Sequence, residues 1–479
     1  MEHIGTRLEC FFEQSLLEME ETTARVQLHQ PIRQECVLRH DAPWEGDGSD
    51  YHVFFWDEDR YRMYYLGWAF RGEAPVVCYA ESRDGLHWEK PNLGICEYAG
   101  SKDNNIVMNR TMHPSIDNFY VYKDENPACL PEERYKALAS YSEGKGGMED
   151  PTWGLWLFVS PDGLHFTRVH CVTNKGAFDS LNSLFWDARI GKYRCYYRGY
   201  HPAPAGTPCS PSGNDIRDIR YTETVDCRHF SEGRFLQYGG KEEIPLYTNN
   251  IQPYYRAKHL YVGFPARYIE RISWGDSFEE LGGKEKRRDR MQDCGRYGLV
   301  TTDAVFMCSR DGVDFRRYDE SFLPPAPENG RNWAYGDSYF AYGMLETPSP
   351  IGSEPEISLY APCNHWMGIP AELHRYTIRR DGFVSLRADG EEKTVLTKPF
   401  TYEGNTLYVN FSTSAWGHAY FSLVDENNVE YRSEEHFGNT TNRRIRLPED
   451  AVAKNAGKPV RLKVRLRDAD FYAFRFAAE

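Results

Sequence analysis

The sequence has no run of about 18 apolar residues, the length a membrane-spanning helix needs, so no membrane partner is expected. A surplus of positive charge is missing too: 57 Lys and Arg stand against 71 Asp and Glu, a net charge of −14. A chain this acidic repels a nucleic-acid backbone, so no nucleic-acid partner is expected. No Cys-x-x-Cys pair occurs among the 12 cysteines. Scattered thiols fit a reduced protein better than a disulfide frame or a zinc site. The opening residues, Met1 to Glu21, lack a basic start and an apolar core. No secretory leader is expected there, and the expected compartment is the cytoplasm. Also absent are a Gly-x-x-x-x-Gly-Lys loop, a Rossmann fingerprint, His-Glu-x-x-His and a Gly-x-Ser-x-Gly elbow. His113, His201, His259 and His365 are too dispersed for a metal centre. No metal and no cofactor are therefore assigned.

What is abundant is aromatic surface. Aromatics make up 15% of the 479 residues, while hydrophobic residues as a whole are 41%. Rings rather than Leu and Ala carry the apolar content, which favours strands over helices. A phrase recurs along the chain: Ser82-Arg83-Asp84-Gly85-Leu86-His87-Trp88, then Ser160-Pro161-Asp162-Gly163-Leu164-His165-Phe166, then Ser309-Arg310-Asp311-Gly312-Val313-Asp314-Phe315. A degenerate copy runs from Thr222 to Phe230. The pattern Ser-x-Asp-Gly-x-x-aromatic is a tight hairpin. Asp folds onto the following amides, Gly takes a positive φ, and the ring packs back on the strands.

Alternating strands precede the copies, as in Arg60-Tyr61-Arg62-Met63-Tyr64-Tyr65 and Lys192-Tyr193-Arg194-Cys195-Tyr196-Tyr197. Units of roughly 60 to 80 residues with about four strands each are propeller blades. Five are expected, starting near residues 40, 113, 176, 247 and 333. Period-two segments after residue 386, such as Val460-Arg461-Leu462-Lys463-Val464, predict a sandwich. The expected fold class is all-β: a five-bladed β-propeller over 1–385 followed by a C-terminal β-sandwich over 386–479. The sandwich is expected to stiffen the last blade or to mediate self-association into a homo-oligomer. Residues 8–21 are expected to form a short helix or strand. The charged stretch from Gly275 to Gly298 is expected to be a mobile surface excursion.

The first strand of each propeller blade lines the axis. Four blade openings carry a carboxylate at about the same place: Asp50, Asp117, Asp179 and Asp337. Blade four opens instead on Asn249, Asn250, Ile251 and Gln252. Glu45 stands just before the first blade's strand. Carboxylates crowded within ~5–10 Å repel, so that one retains its proton near neutral pH. A protonated acid beside an ionised base is the chemistry of glycosidic bond cleavage. The plainer role of such an Asp is to accept backbone amides in a turn. Sugar recognition needs aromatic platforms and polar forks; Trp44, Trp68, Trp333 and Trp366 are candidates for the first. Arg198, Arg217, Arg220 and Arg267 are candidates for the second. If several reach the funnel, a carboxylate or sulfate on the substrate is implied.

The Ser-x-Asp-Gly hairpins and the blade openings resemble the five-bladed propeller glycoside hydrolases of the superfamily that holds families 32 and 43. More closely, the chain resembles a bacterial group related to family 32. That likeness is carried by Asp41-Ala42-Pro43-Trp44-Glu45-Gly46, Trp88-Glu89-Lys90-Pro91-Asn92-Leu93-Gly94, Gly176-Ala177-Phe178-Asp179-Ser180 and Asp468-Ala469-Asp470-Phe471-Tyr472-Ala473-Phe474. The resemblance implies an Asp of blade one, matched by Asp50, as base or nucleophile. It implies a central Asp, matched by Asp179, that positions the base or steadies charge. The family's acidic Glu has no counterpart at Asn249-Asn250. Glu45, Asp337 and Glu356 are the substitutes, while Asp303 reads as structural. An axial calcium is compatible with the resemblance, but nothing in the sequence assigns one.

The expected function is a glycoside hydrolase acting on an oligosaccharide or glycoside. Asp50, Asp179, Asp337 and Glu45 are its catalytic candidates. Trp44, Asp117, Asn250, Gln252, Arg267 and Glu356 are its substrate-binding candidates. The alternatives are a carbohydrate-binding propeller without turnover, and a lyase or phosphorylase on the same fold.

Overall fold

A computed structural model describes residues 1–72, 75–113, 116–144, 147–203 and 215–479. The local chemistry of the repeated turn is visible in each copy. Asp84 Oδ1 accepts the amides of Leu86 and His87 at 2.8 and 2.9 Å, and Ser82 Oγ accepts that of Gly85 at 2.9 Å. Asp162 and Asp311 repeat this arrangement on Leu164, His165, Val313 and Asp314. The degenerate copy does so through Asp226, with Arg228 and His229 as donors. Gly85, Gly163 and Gly312 have φ of +73°, +79° and +76°, a region that favours glycine.

These turns join strands into five sheets, the blades of an all-β propeller. Blade 1 comprises Asp50–Asp57, Arg60–Gly67, Val76–Ser82 and Ile106–Met108. Blade 2 comprises Asp117–Lys123, Tyr135–Tyr141, Gly154–Ser160 and Thr167–Thr173. Blade 3 comprises Ser183–Asp187, Lys192–Pro202, Asp215–Thr224 and Arg234–Phe235. In blade 4, Gln252–Tyr254 is followed by Ala257–Gly263 and Ala266–Glu270, which both pair with Val300–Ser309, and Arg316–Leu323 is outermost. Blade 5 runs Leu345–Thr347, Glu356–Cys363 and Glu372–Arg379, and its outer strand is Ile32–Arg39 from the other end of the chain. That strand closes the ring and hides an edge that would otherwise offer unpaired backbone groups.

Hydroxyls bind neighbouring blades together. Tyr135 donates to Asp57 at 2.6 Å, Tyr193 to Asp124 at 2.6 Å, and Tyr261 to Asp187. Each acceptor stands at the end of the preceding blade's inner strand. Apolar side chains from blades 1 to 5 also share one cluster at the axis, including Tyr51, Tyr120, Leu184, Tyr268 and Tyr339.

The second domain is a sandwich bent about two long strands, Thr406–Asp425 and Val460–Ala477. The pairing breaks between Thr413 and His418. Side chains from both halves, Val409 and Phe411 with Phe421 and Leu423, fall in one core, so each strand serves both layers. Strands Glu2–Gly5, Glu9–Cys10 and Arg25–Leu28 pair into this sheet through Phe400–Tyr402, Val460–Ala477 and Val384–Ala388. The N-terminal residues of the expected 1–385 propeller range thus pair with the second domain. Among the described residues, no helix is long and apolar enough to cross a membrane. The eleven described cysteines are all unpaired.

Candidate functional site

The inner strands meet the axis through an unusual backbone feature. Tyr51, Asn118, Asn250 and Ser338 have φ of +56°, +49°, +48° and +66°. Each directly follows Asp50, Asp117, Asn249 or Asp337. A left-handed non-glycine residue costs ~1–2 kcal/mol, and such strain concentrates at functional sites. Blade 3 has no such residue at its opening. Its register differs as well. Asp50 and Asp117 stand three residues before Val53 and Tyr120, which pair with Tyr64 and Leu138. Asp179 stands four residues before Ser183, which pairs with Tyr196.

A cavity of about 350 Å³ opens at the axis and draws residues from all five blades. Asp117 and Asp179 are its only carboxylates among the described residues. Its walls are rings: Tyr51 and Trp68 from blade 1, Trp153 from blade 2, Tyr200 from blade 3, Tyr247 and Tyr297 from blade 4, Tyr335 and Trp366 from blade 5. Arg110, Arg217 and Arg296 complete it.

The two carboxylates sit in opposite electrostatic settings. Burial pushes Asp117 up to about 6; the nearby charge of Asp179 adds to the rise, and Arg110 opposes it. Asp179 is ion-paired to Arg198 Nη2, and its side chain is 36% exposed. Arg198 is itself buried and lies over the Tyr247 ring at 4.3 Å. Tyr247 donates its hydroxyl to the Asp179 carbonyl at 3.2 Å, which ties the blade 4 entrance to blade 3.

Asp50 and Asp337 do not line this cavity. Asp50 is 1% exposed, takes the Tyr51 amide at 2.7 Å, and has its other oxygen 3.8 Å from His365 Nδ1. Burial raises its carboxyl well above the ordinary range, and Asp337 adds to the rise. Asp337 is pushed up to about 7 by burial, against the His365 amide and the cations Arg290 and Arg287. It borders a separate side cavity with Arg33 and Asn332. His365 is held neutral, lowered to about 3 by burial and by Arg290. These groups form a second, buried layer beside the site.

The other expected site residues are engaged elsewhere. Glu45 is fully buried, accepting the Tyr65 hydroxyl at 2.5 Å, the Lys90 ammonium at 2.7 Å and the Ala42 amide at 2.8 Å. It anchors the entry to blade 1. Trp44 donates to Asn105 at 2.8 Å and packs on Tyr98. Asn250 is spent on the Phe340 carbonyl, and Gln252 is buried within the blade 4 strand. Arg267 forks onto Asp303 and donates to the Asp319 carbonyl at 2.8 Å, so both it and Asp303 are structural. Glu356 accepts from Ser349 at 2.7 Å and faces a groove between blade 5 and the second domain.

The Gly275–Gly298 stretch is not a free excursion. It folds into helices Asp276–Glu280 and Lys284–Met291, with a turn of helix at Arg296–Leu299. Arg287 and Arg290 are 2% and 1% exposed, and Arg71 grips Asp289 and Asp293 from blade 1. The segment thereby delivers Arg296 and Tyr297 to the cavity. Sequence reasoning missed these two, along with Arg110, Trp153, Tyr247 and Tyr335. A signal existed for the tyrosines, which stand two residues before Asn249 and Asp337 in the openings of blades 4 and 5. Arg110 and Trp153 lie outside the regular strands and outside any repeated phrase.

No family model and no curated protein matches the chain. Solved structures do. A glycoside hydrolase family 32 beta-fructofuranosidase of Bombyx mori is 8% identical, with a TM-score of 0.39 and 96% of each chain covered. The catalytic domain of a family 62 alpha-L-arabinofuranosidase of Coprinopsis cinerea is 8% identical, with a TM-score of 0.41, over 73% of this chain and 97% of that one. An N-acetylgalactosamine deacetylase from F. plautii, solved with blood group B trisaccharide, is 10% identical, with a TM-score of 0.44, over 75% and 95%. Likenesses this distant bear on neither activity nor substrate, which rest on the geometry of the axial cavity.

Proposed function

We propose that the protein is a glycoside hydrolase whose reacting carboxylates are Asp117 and Asp179. One observation carries this reading: these two side chains share an aromatic-walled axial cavity, with Asp117 raised by burial and Asp179 ion-paired to Arg198. Asp117, raised to about 6, holds a proton to give to the leaving glycosidic oxygen. Asp179, ion-paired with Arg198, activates water or attacks the anomeric carbon. Trp68 and Tyr297, both only partly buried, offer ring faces for the sugar. Asp50 and Asp337 fit less well, because neither faces the cavity. The same pair argues against a propeller that only binds sugar, since recognition alone needs no split pair of acids.

The test is a screen of chromogenic aryl glycosides against the wild type, Asp117→Asn and Asp179→Asn. At least one glycoside should be cleaved, and each variant should lose about a hundredfold or more in rate. Equal rates in all three proteins, or no cleavage of any glycoside, would overturn the reading.

A further inference from the structure

We propose that the sugar taken by this cavity carries a carboxylate, anchored on Arg217 and Arg110. The inference rests on the glycosidase reading and narrows its substrate class.

The charge balance comes first. The chain as a whole carries −14, yet three arginines line the cavity against two carboxylates. Of those two, Asp179 is already paired with Arg198, which leaves Asp117 alone against three cations. The cavity therefore has a positive surplus inside an acidic protein, and such a cleft gathers anions.

The state of the arginines points the same way. Outside the cavity, Arg267 pairs with Asp303, Arg317 with Asp319 and Arg194 with Asp187. Among the described residues, Arg110 and Arg217 have no carboxylate in ion-pair contact, and the buried Nε of Arg217 has no hydrogen-bond partner. Arg198 is 2% exposed; it spends one nitrogen on Asp179 and leaves Nε and Nη1 unpaired. A buried donor without an acceptor carries a desolvation penalty, and Arg217, which lines the cavity, has one that an incoming oxyanion relieves.

Geometry selects the kind of anion. The Arg217 guanidinium lies over the Tyr268 ring at 4.1 Å. The ring covers one face of the guanidinium, whose donors lie at its edge in one plane. That is the arrangement that forks onto a planar carboxylate. The tryptophans of the same cavity supply the apolar face on which the pyranose ring would lie.

The experiment is a fluorescence titration that reads Trp68, Trp153 and Trp366. The ligands are glucuronate, galacturonate, glucose, galactose, glucose 6-sulfate and inorganic phosphate. At least one uronate should bind the wild type about tenfold or more tightly than its neutral hexose. The preference should vanish in Arg217→Gln, return in part in Arg217→Lys, and weaken as salt is raised. Arg110→Gln should reduce it too and carries the test should Arg217→Gln fail to fold. Equal binding of uronates and hexoses would overturn the proposal. So would a preference that survives both glutamine variants, or tighter binding of phosphate or the sulfated sugar than of either uronate. The two readings fail separately. Uronate preference with no glycoside cleaved leaves the anion site standing and removes the hydrolase. Cleavage of neutral glycosides without uronate preference removes the anion site and leaves the hydrolase.

Discussion

Arg198 pairs with Asp179 through Nη2, whereas Asp117, in the same cavity, has no cation in ion-pair contact among the described residues. The chemistry assigned to the site follows from this asymmetry. Burial beside another carboxylate favours the protonated form of Asp117, and the guanidinium gives Asp179 a counter-charge.

The same asymmetry affects stability. Burial, with the charge of Asp179, raises Asp117 to about 6, while an unfolded aspartate titrates near ~3.9. The folded state therefore holds this proton more tightly than the unfolded chain. The group's contribution is fully present below about pH 4, is lost as pH rises to about 6, and is constant beyond. Asp117→Asn should thus stabilise the protein at pH 7.5 by about 1–2 kcal/mol, after allowance for partial exposure. At pH 4 it should have little effect. Thermal melts at both pH values check this; the same difference at each would contradict it.

Turn glycines do more than supply a positive φ. Tyr64 of blade 1 donates to the carbonyl of Gly163 in blade 2 at 2.7 Å. A Cβ on Gly163 would lie 2.8 Å from that hydroxyl and 2.8 Å from Arg62 Nη1. Tyr196 and Gly312 repeat the contact at 2.8 Å. In blade 3 the glycine position is held by Cys227 (φ +54°), and blade 2 has Leu138 at the register of the tyrosine. Gly163→Ala should cost about 1–3 kcal/mol, and Tyr64→Phe about 1 kcal/mol. The double variant should cost less than their sum, because the clash with the hydroxyl is gone. Denaturant melts of the four proteins measure this; strict additivity would show that the glycine answers only to its backbone angle.

Glu45 separates a structural from a chemical role. Glu45→Ala removes the buried one of Lys90's two carboxylate partners, the other being the exposed Asp41, and the acceptor of Tyr65. Breaking a buried pair in this way costs about 3–5 kcal/mol. The melting temperature should fall while kcat/KM of the folded fraction stays within a factor of about two. Loss of rate at unchanged stability would return Glu45 to the mechanism.

The N-terminal segment should be indispensable. Deletion of residues 1–40 removes Ile32–Arg39 from blade 5 and three strands from the second domain. Strand Glu372–Arg379 would then present a bare edge. The truncated chain should aggregate or elute at high mass in size exclusion. A monodisperse, cooperatively melting product would contradict this.

Much of this architecture is legible in the sequence because its determinants are local. Ser-x-Asp-Gly specifies its own turn, down to the degenerate copy at Asp226, and alternation between turns marks the strands. The cavity is less legible because it is settled over longer distances. Asp50, Asp117, Asp179 and Asp337 look alike in sequence, and the pair that lines the cavity, Asp117 and Asp179, differs in both register and following backbone, so neither local feature singles it out. Arg296 reaches the site on a helical segment whose charges read as solvated. The pairing of Glu2–Gly5 with Phe400–Tyr402 joins residues almost 400 positions apart, and no local pattern announces it.

The pH dependence of kcat/KM on a cleaved glycoside, for the wild type and Asp117→Asn, tests the assignment of the proton most directly. A proton donor at Asp117 predicts a wild-type profile that falls above an apparent pKa near 6. In the variant that limb should be absent. A wild-type profile with no fall near that value, or the same fall in Asp117→Asn, would show that the transferred proton resides elsewhere.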